Sequence, residues 1–190
     1  MRTSELIQRF WRKAELCLPD PVAVLRCLLL RIRGFRIGKG SLLPRCLVPW
    51  PHQVRIGDHC VLQPGIFFNV DHYWAPGPMI TVGDRVFIGR DVEFNCRKRI
   101  TVGDDALIAS GCHLIDCNHG TAANKLIRTQ EITSEEIVVG KGAWLGAAVI
   151  VLQGVKIGDG AIIGAGSVLT KSVPAGEIWT GVPAKFLRHR

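Results

Sequence analysis

Between Val139 and Val173 an apolar residue returns at every sixth position: Val139, Leu145, Val151, Ile157, Ile163 and Leu169. Glycine follows four of them directly, at Gly140, Gly146, Gly158 and Gly164. A period of six matches neither an α-helix, at about 3.6, nor an alternating strand, at about 2. It matches a short strand and a tight turn, repeated, which is the sequence sign of a parallel β-helix. The predicted fold class is therefore all-β: a parallel prism of about six coils with a short N-terminal helical segment.

The phase extends back to Ile37 when insertions are admitted only at coil corners. With three faces of six residues, one coil takes about 18 residues. Face one reads Ile37, Ile56, Val82, Val102, Val139 and Ile157. Each is followed by glycine and then by a charged residue: Lys39, Asp58, Asp84, Asp104, Lys141 and Asp159. Face two reads Leu43, Leu62, Ile88, Ile108, Leu145 and Ile163, and face three Pro49, Phe68, Phe94, Leu114, Val151 and Leu169. Mostly small residues stand between the first two faces (Cys60, Val86, Ala106, Ala143, Ala161), with Leu42 the exception in the first coil. Glycine beside the corner is expected because it removes a Cβ that a tight turn would strain.

Successive face-one residues lie 19, 26, 20, 37 and 18 apart. The excesses over one coil place a moderate insertion at about 69–79 and a large one at about 119–138. Both follow face three, so both leave the prism at one corner. Long excursions from a rigid solenoid usually carry function or pack as an arm. Three parts are predicted: a helical cap over 1–36, the prism over 37–174, and a C-terminal tail over 175–190.

The net charge of +8 is unevenly placed. Residues 1–45 carry ten Lys/Arg against Glu5, Glu15 and Asp20, so the surplus belongs to the N-terminal quarter. Residues 4–18 and 22–33 each space their apolar residues as one helical face, parted by Pro19-Asp20-Pro21. Such helices suit a cap on an open β-helix end or a peripheral contact with an anionic membrane. No apolar run near the start approaches the roughly 20 residues that span a bilayer. Seven cysteines, odd in number and without a CxxC pair, imply neither a disulfide frame nor a zinc cluster. A reducing cytoplasm is the expected compartment. No nucleic-acid partner is implied.

The large insertion opens with Asp116-Cys117-Asn118-His119-Gly120. A histidine can accept a hydroxyl proton near neutrality, since its ordinary pKa is about 6.5. On position alone a lone histidine here is more often structural than catalytic. Asp116 could orient the ring or close a turn. Asn69 and Asn95 follow Phe68 and Phe94, so a ladder of Asn69, Asn95 and His119 would line one polar edge. Cys117 beside His119 raises a Cys–His nucleophile, without a third orienting group. His72, His113 and His119 raise a metal site. However, His113 shares its phase with Glu93, and a surface pair between these two is the simpler reading.

These motifs carry a family resemblance. Val82-Gly83-Asp84, Asp116 to Gly120 ahead of a long loop, Val139-Gly140-Lys141-Gly142-Ala143-Trp144-Leu145-Gly146, Gly164 to Lys171 and Gly181-Val182-Pro183-Ala184-Lys185 resemble the left-handed β-helix hexapeptide-repeat acyltransferases. Within these the chain is most similar to sugar and polysaccharide O-acetyltransferases, such as the lipopolysaccharide, capsule, galactoside and maltose enzymes. The likeness is strong over about 82–190, weak over 37–81 and slight before that. It implies left-handed coiling and a homotrimer with sites between subunits. It also implies acetyl-CoA as donor, a sugar or glycan acceptor, no metal, and direct transfer to the acceptor. His119 matches the catalytic base and Asn95 an acceptor-binding asparagine, with Asn69 and Asp116 beside them. Ala147 and Ala165 match positions that hold the pantetheine arm. Thr170, Lys171, Lys185 and Arg188 match the region that meets the nucleotide end of CoA, and Trp144 a tryptophan common at this site. No residue in 1–36 matches the family's N-terminal acceptor aspartate, and the loop 69–79 has no match.

Three other readings stay open. A nitrogen acceptor on an amino sugar needs the same base and donor. A metal-dependent hydratase resembling γ-class carbonic anhydrase would need a metal at His113 and His119. A non-enzymatic scaffold would bind no CoA.

Overall fold

The computed structural model describes residues 21–190. The helix expected over 4–18 lies outside the described residues. Helix α1 (Pro21–Ile32) begins the described chain and buries Cys27 and Leu30 in the core of the first coil; Ala23 is buried as well. The Leu43 amide donates to Cys27 Sγ at 3.2 Å, and Arg26 Nη1 donates to the Leu43 carbonyl at 3.1 Å. The helix thus closes the N-terminal end of the prism.

Beyond α1 the chain winds as a three-sided parallel β-helix. Face one pairs Ile37, Ile56, Val82, Val102, Val139 and Ile157 in register, as the period requires. Face two pairs Leu62, Ile88, Ile108, Leu145 and Ile163, and continues to Trp179. Face three pairs Phe68, Phe94, Leu114, Val151 and Leu169. These residues point inward and are almost wholly buried, except Trp179, which is partly buried against the core. Phe68 and Phe94 stack at 5.1 Å on consecutive coils. Alternation on such short strands turns each neighbour outward.

The first coil departs from the expected phase. Leu47 bridges Phe67, so the buried Val48, and not Pro49, stands in register with Phe68. Ser41 is the buried small residue of this coil, and Leu42 is exposed. The Ser41 hydroxyl donates to the Gly57 carbonyl and accepts from the Cys60 amide, which lets a polar group sit in that position.

The corner glycines have a different cause from the one expected. Gly38, Gly57, Gly83, Gly103 and Gly140 do not adopt positive φ. They are required by close approach: a Cβ on Gly83 would lie 2.4 Å from Asp104 Oδ1 and 2.8 Å from the Asp104 nitrogen. That carboxylate accepts the Asp84 amide at 2.9 Å, and Asp84 accepts the Asp58 amide at 2.8 Å. Asp58 and Asp159 do the same for Lys39 and Lys141. Each aspartate therefore ties its corner to the coil before, and the glycine makes room for it. The left-handed residue comes two positions later, at His59, Arg85 and Asp105, or without strain at Gly40, Gly142 and Gly160.

At the C-terminal end, Glu177–Gly181 adds a parallel strand to face two, and Ala184–His189 returns antiparallel beside it.

Candidate functional site

Both insertions leave between faces three and one, at the same corner. The longer one is a hairpin arm. Cys117–His119 pairs antiparallel with Ile132–Ser134, placing His119 opposite Ile132. The Gln130 side chain bonds Ala122 and Lys125 and closes the arm's tip. The Glu135 amide donates to the Asp116 carbonyl at 2.9 Å, fastening its base.

His119 is exposed on this arm, and its imidazole has no hydrogen bond among the described residues. It does not extend the asparagine column. Asn69 and Asn95 are in register and Asn69 Nδ2 donates to Asn95 Oδ1 at 3.3 Å, but the next coil supplies Ile115. His119 lies four residues further on, where the chain has left the prism lattice and strand pairing with 132–134 sets its place.

Asp116 is buried and unavailable to an acceptor. Its carboxylate accepts the amides of Arg97, Lys98 and Arg99 at 2.6, 2.8 and 2.8 Å, and the Cys96 thiol at 3.4 Å. It caps the corner by which the preceding coil turns from face three to face one. The Arg97 side chain forms an ion pair with Asp71 at the start of the shorter insertion. The two insertions are thereby linked through one corner: Asp71 to Arg97, and the Arg97 amide to Asp116.

The shorter insertion holds an aromatic cluster. Trp50 stacks on Tyr73 at 3.9 Å, and Tyr73 meets Trp74 at 4.4 Å. Buried Gln53 donates to the Tyr73 and Ala75 carbonyls at 2.9 and 2.7 Å. Gly77 packs against its Oε1, where a Cβ would come within 2.2 Å. Sequence reasoning missed Trp50, Gln53 and Arg97. Their signal lies in phase, since Trp50 and Arg97 fall at the corner from which the insertions leave.

His113 pairs with Glu93 at 3.1 Å across adjacent coils, as their shared phase predicts. Among the described residues no group of three His, Cys, Asp or Glu side chains is placed to hold a metal ion. The Cys117 thiol is pushed above its ordinary pKa by burial, then by the charges of Asp116 and Asp71, against a smaller opposing effect of Arg97. This disfavours the thiolate that a nucleophile would need.

The residues matched to the donor divide between two corners and the outer side of face two. Ala147 and Ala165 are exposed, one coil apart, between faces two and three, and the Gly166 amide donates to the Ala147 carbonyl at 2.8 Å. Lys185 stands beside this corner, paired with Thr180, whose side chain covers Gly164. Arg188 pairs with Ile178 further along face two. Trp144 projects outward from face two between Leu107 and Ile162. Thr170 and Lys171 lie at the corner after face three, on the side of the arm. Within one chain, face three separates Ala147 and Ala165 from His119.

Known proteins share this architecture. Residues 136–171 match the model for the bacterial transferase hexapeptide (six repeats), and 79–114 the model for the hexapeptide repeat of succinyl-transferase. A relative from Mycobacterium tuberculosis (strain ATCC 25618 / H37Rv), named as an acetyltransferase, is 29% identical over 96% of this chain, which spans 57% of that relative's length. A relative from Escherichia coli (strain K12), named as an acetyltransferase of colanic acid biosynthesis, is 32% identical over 72% of this chain and 69% of its own. Among solved structures, AntD, an N-acyltransferase from Bacillus cereus in complex with dTDP and 3-hydroxybutyryl-CoA, superposes with a TM-score of 0.75. It is 21% identical, covering 85% of this chain and 86% of that one. Since a six-residue lattice of this kind is matched in two separate segments, and the Escherichia coli relative aligns over most of both chains, this protein belongs to the left-handed β-helix hexapeptide-repeat acyltransferase family.

Proposed function

We propose that the protein transfers the acetyl group of acetyl-CoA to a hydroxyl of a sugar or glycan, with His119 as general base. The observation that carries this is the exposed imidazole, without a hydrogen bond among the described residues, on an arm rooted at the corner that also carries the Asn69–Asn95 pair. The acceptor hydroxyl gives its proton to the imidazole as its oxygen attacks the thioester carbonyl. The tetrahedral adduct then collapses, the C–S bond breaks, and the departing thiolate takes the proton back. Asn95 keeps its amide N–H groups free of Asn69 and can orient the attacking oxygen. Ala147 and Ala165 leave space for the pantetheine arm, while Lys185 and Arg188 supply cations for CoA phosphates.

A single chain separates its donor corner from its base. The reading therefore includes a homotrimer in which the arm of one subunit meets the Ala147–Ala165 corner of the next. The arm's tip exposes Leu126 and Ile127, apolar residues suited to such a contact. An oxygen acceptor is favoured over nitrogen by the sequence relatives, which include a galactoside O-acetyltransferase from Escherichia coli 29% identical over 70% of this chain.

The test is thiol release from acetyl-CoA with a panel of sugars, nucleotide sugars and glycolipids. His119→Ala should keep the native mass and lower turnover by roughly 10²–10⁴-fold. Undiminished turnover in that variant would refute the assignment of the base.

A further inference from the structure

The described chain opens on a helix with too much apolar surface for a simple cap. At roughly 100° per residue, the side of α1 opposite Ala23, Cys27 and Leu30 carries Leu25, Leu28, Leu29 and Ile32. All four are more than half exposed, and Ile32 is 77% exposed. Arg26 and Arg33 flank this stripe on one side and Arg31 on the other. Each guanidinium spends one hydrogen bond on a first-coil carbonyl: Arg26 on Leu43, Arg31 on Ile37 and Arg33 on Pro49. Five N–H donors per guanidinium leave most of them free. Beside Pro49 stands Trp50, partly exposed and stacked on Tyr73, with Trp74 next to it at 80% exposure.

The charge around this stripe identifies its occupant. Residues 21–45 hold six Lys/Arg and no Asp or Glu. A second copy laid against the stripe would bring like charges together. Residues 1–20 carry Arg2, Arg9, Arg12 and Lys13 against Glu5, Glu15 and Asp20, a small net positive charge that adds to this surplus rather than offsetting it. An apolar stripe flanked by arginines, with tryptophans beside it, matches the depth profile of a lipid headgroup layer. At 12 residues α1 is too short to cross a bilayer, and among the described residues no helix is long and apolar enough to do so.

We propose that α1 docks the N-terminal end of the prism onto an anionic phospholipid surface. Leu25, Leu28, Leu29 and Ile32 enter the acyl boundary, and the flanking arginines reach lipid phosphates.

The test is co-sedimentation of the full chain with vesicles of phosphatidylcholine alone or mixed with phosphatidylglycerol. The wild type should pellet with the mixed vesicles and less so as salt rises. Leu25→Asp/Leu29→Asp should weaken partition by about tenfold or more, with native mass and melting temperature kept. Wild-type protein that stays in the supernatant with mixed vesicles overturns the proposal, since the stripe is then covered by residues 1–20 or by another copy. Equal binding by the double variant overturns it too. Should that variant melt early, amide exchange on the wild type decides: exchange over 21–32 slows on adding mixed vesicles, or the proposal fails.

Discussion

Replacing Asp116 separates a scaffold role from a substrate role. The carboxylate is buried and accepts three main-chain amides at 2.6–2.8 Å, which the neighbouring coil cannot satisfy otherwise. Asp116→Ala strands those donors. Each stranded donor costs about 1–3 kcal/mol, and water entering beside the part-exposed Arg97 recovers some of this. The expected loss of stability is about 4 kcal/mol. Asp116→Asn keeps one acceptor but turns an amide N–H group toward a donor, so about 2–3 kcal/mol is expected. Urea unfolding reads both, and a fall in midpoint at unchanged slope is the signature. A loss below about 1 kcal/mol in Asp116→Ala, with a raised KM for the acceptor, would refute the scaffold role.

Other outcomes follow from the corners and the arm. Gly83→Ala forces its Cβ onto Asp104 and should cost about 2–4 kcal/mol, whereas Gly142→Ala meets no atom within 4 Å and should cost about 1–2 kcal/mol for its φ of +63°. Chemical denaturation of the pair checks this, and the reverse order would sink the close-approach account. Cys117→Ser should retain acetyl transfer, because burial and two carboxylates hold that thiol protonated. Loss of turnover in Cys117→Ser, together with a trapped acetyl-enzyme, would reinstate a covalent route.

The six-residue period alone determined the prism, its three faces and the corner from which both insertions leave. It could do so because each apolar residue has one address on a regular lattice, and a one-residue slip would turn the core side chain outward. It failed at Pro49, where the first coil has no coil before it to enforce the register. It also failed at the asparagine column, because counting residues has no meaning once the chain leaves the lattice for the arm. Asp116 illustrates the same boundary. Its carboxylate is chemically fit for orienting a histidine, binding a sugar or capping a turn. Only the three amides converging from the neighbouring coil select the last. The glycines, too, were placed by the sequence but explained by space: nothing local distinguishes a glycine needed for its dihedral from one needed because another coil's aspartate occupies its Cβ position. Period determined where the chain runs. Contacts between residues about 20 positions apart decided which polar groups are spent on holding the corners, and which, like the His119 imidazole, have no partner among the described residues.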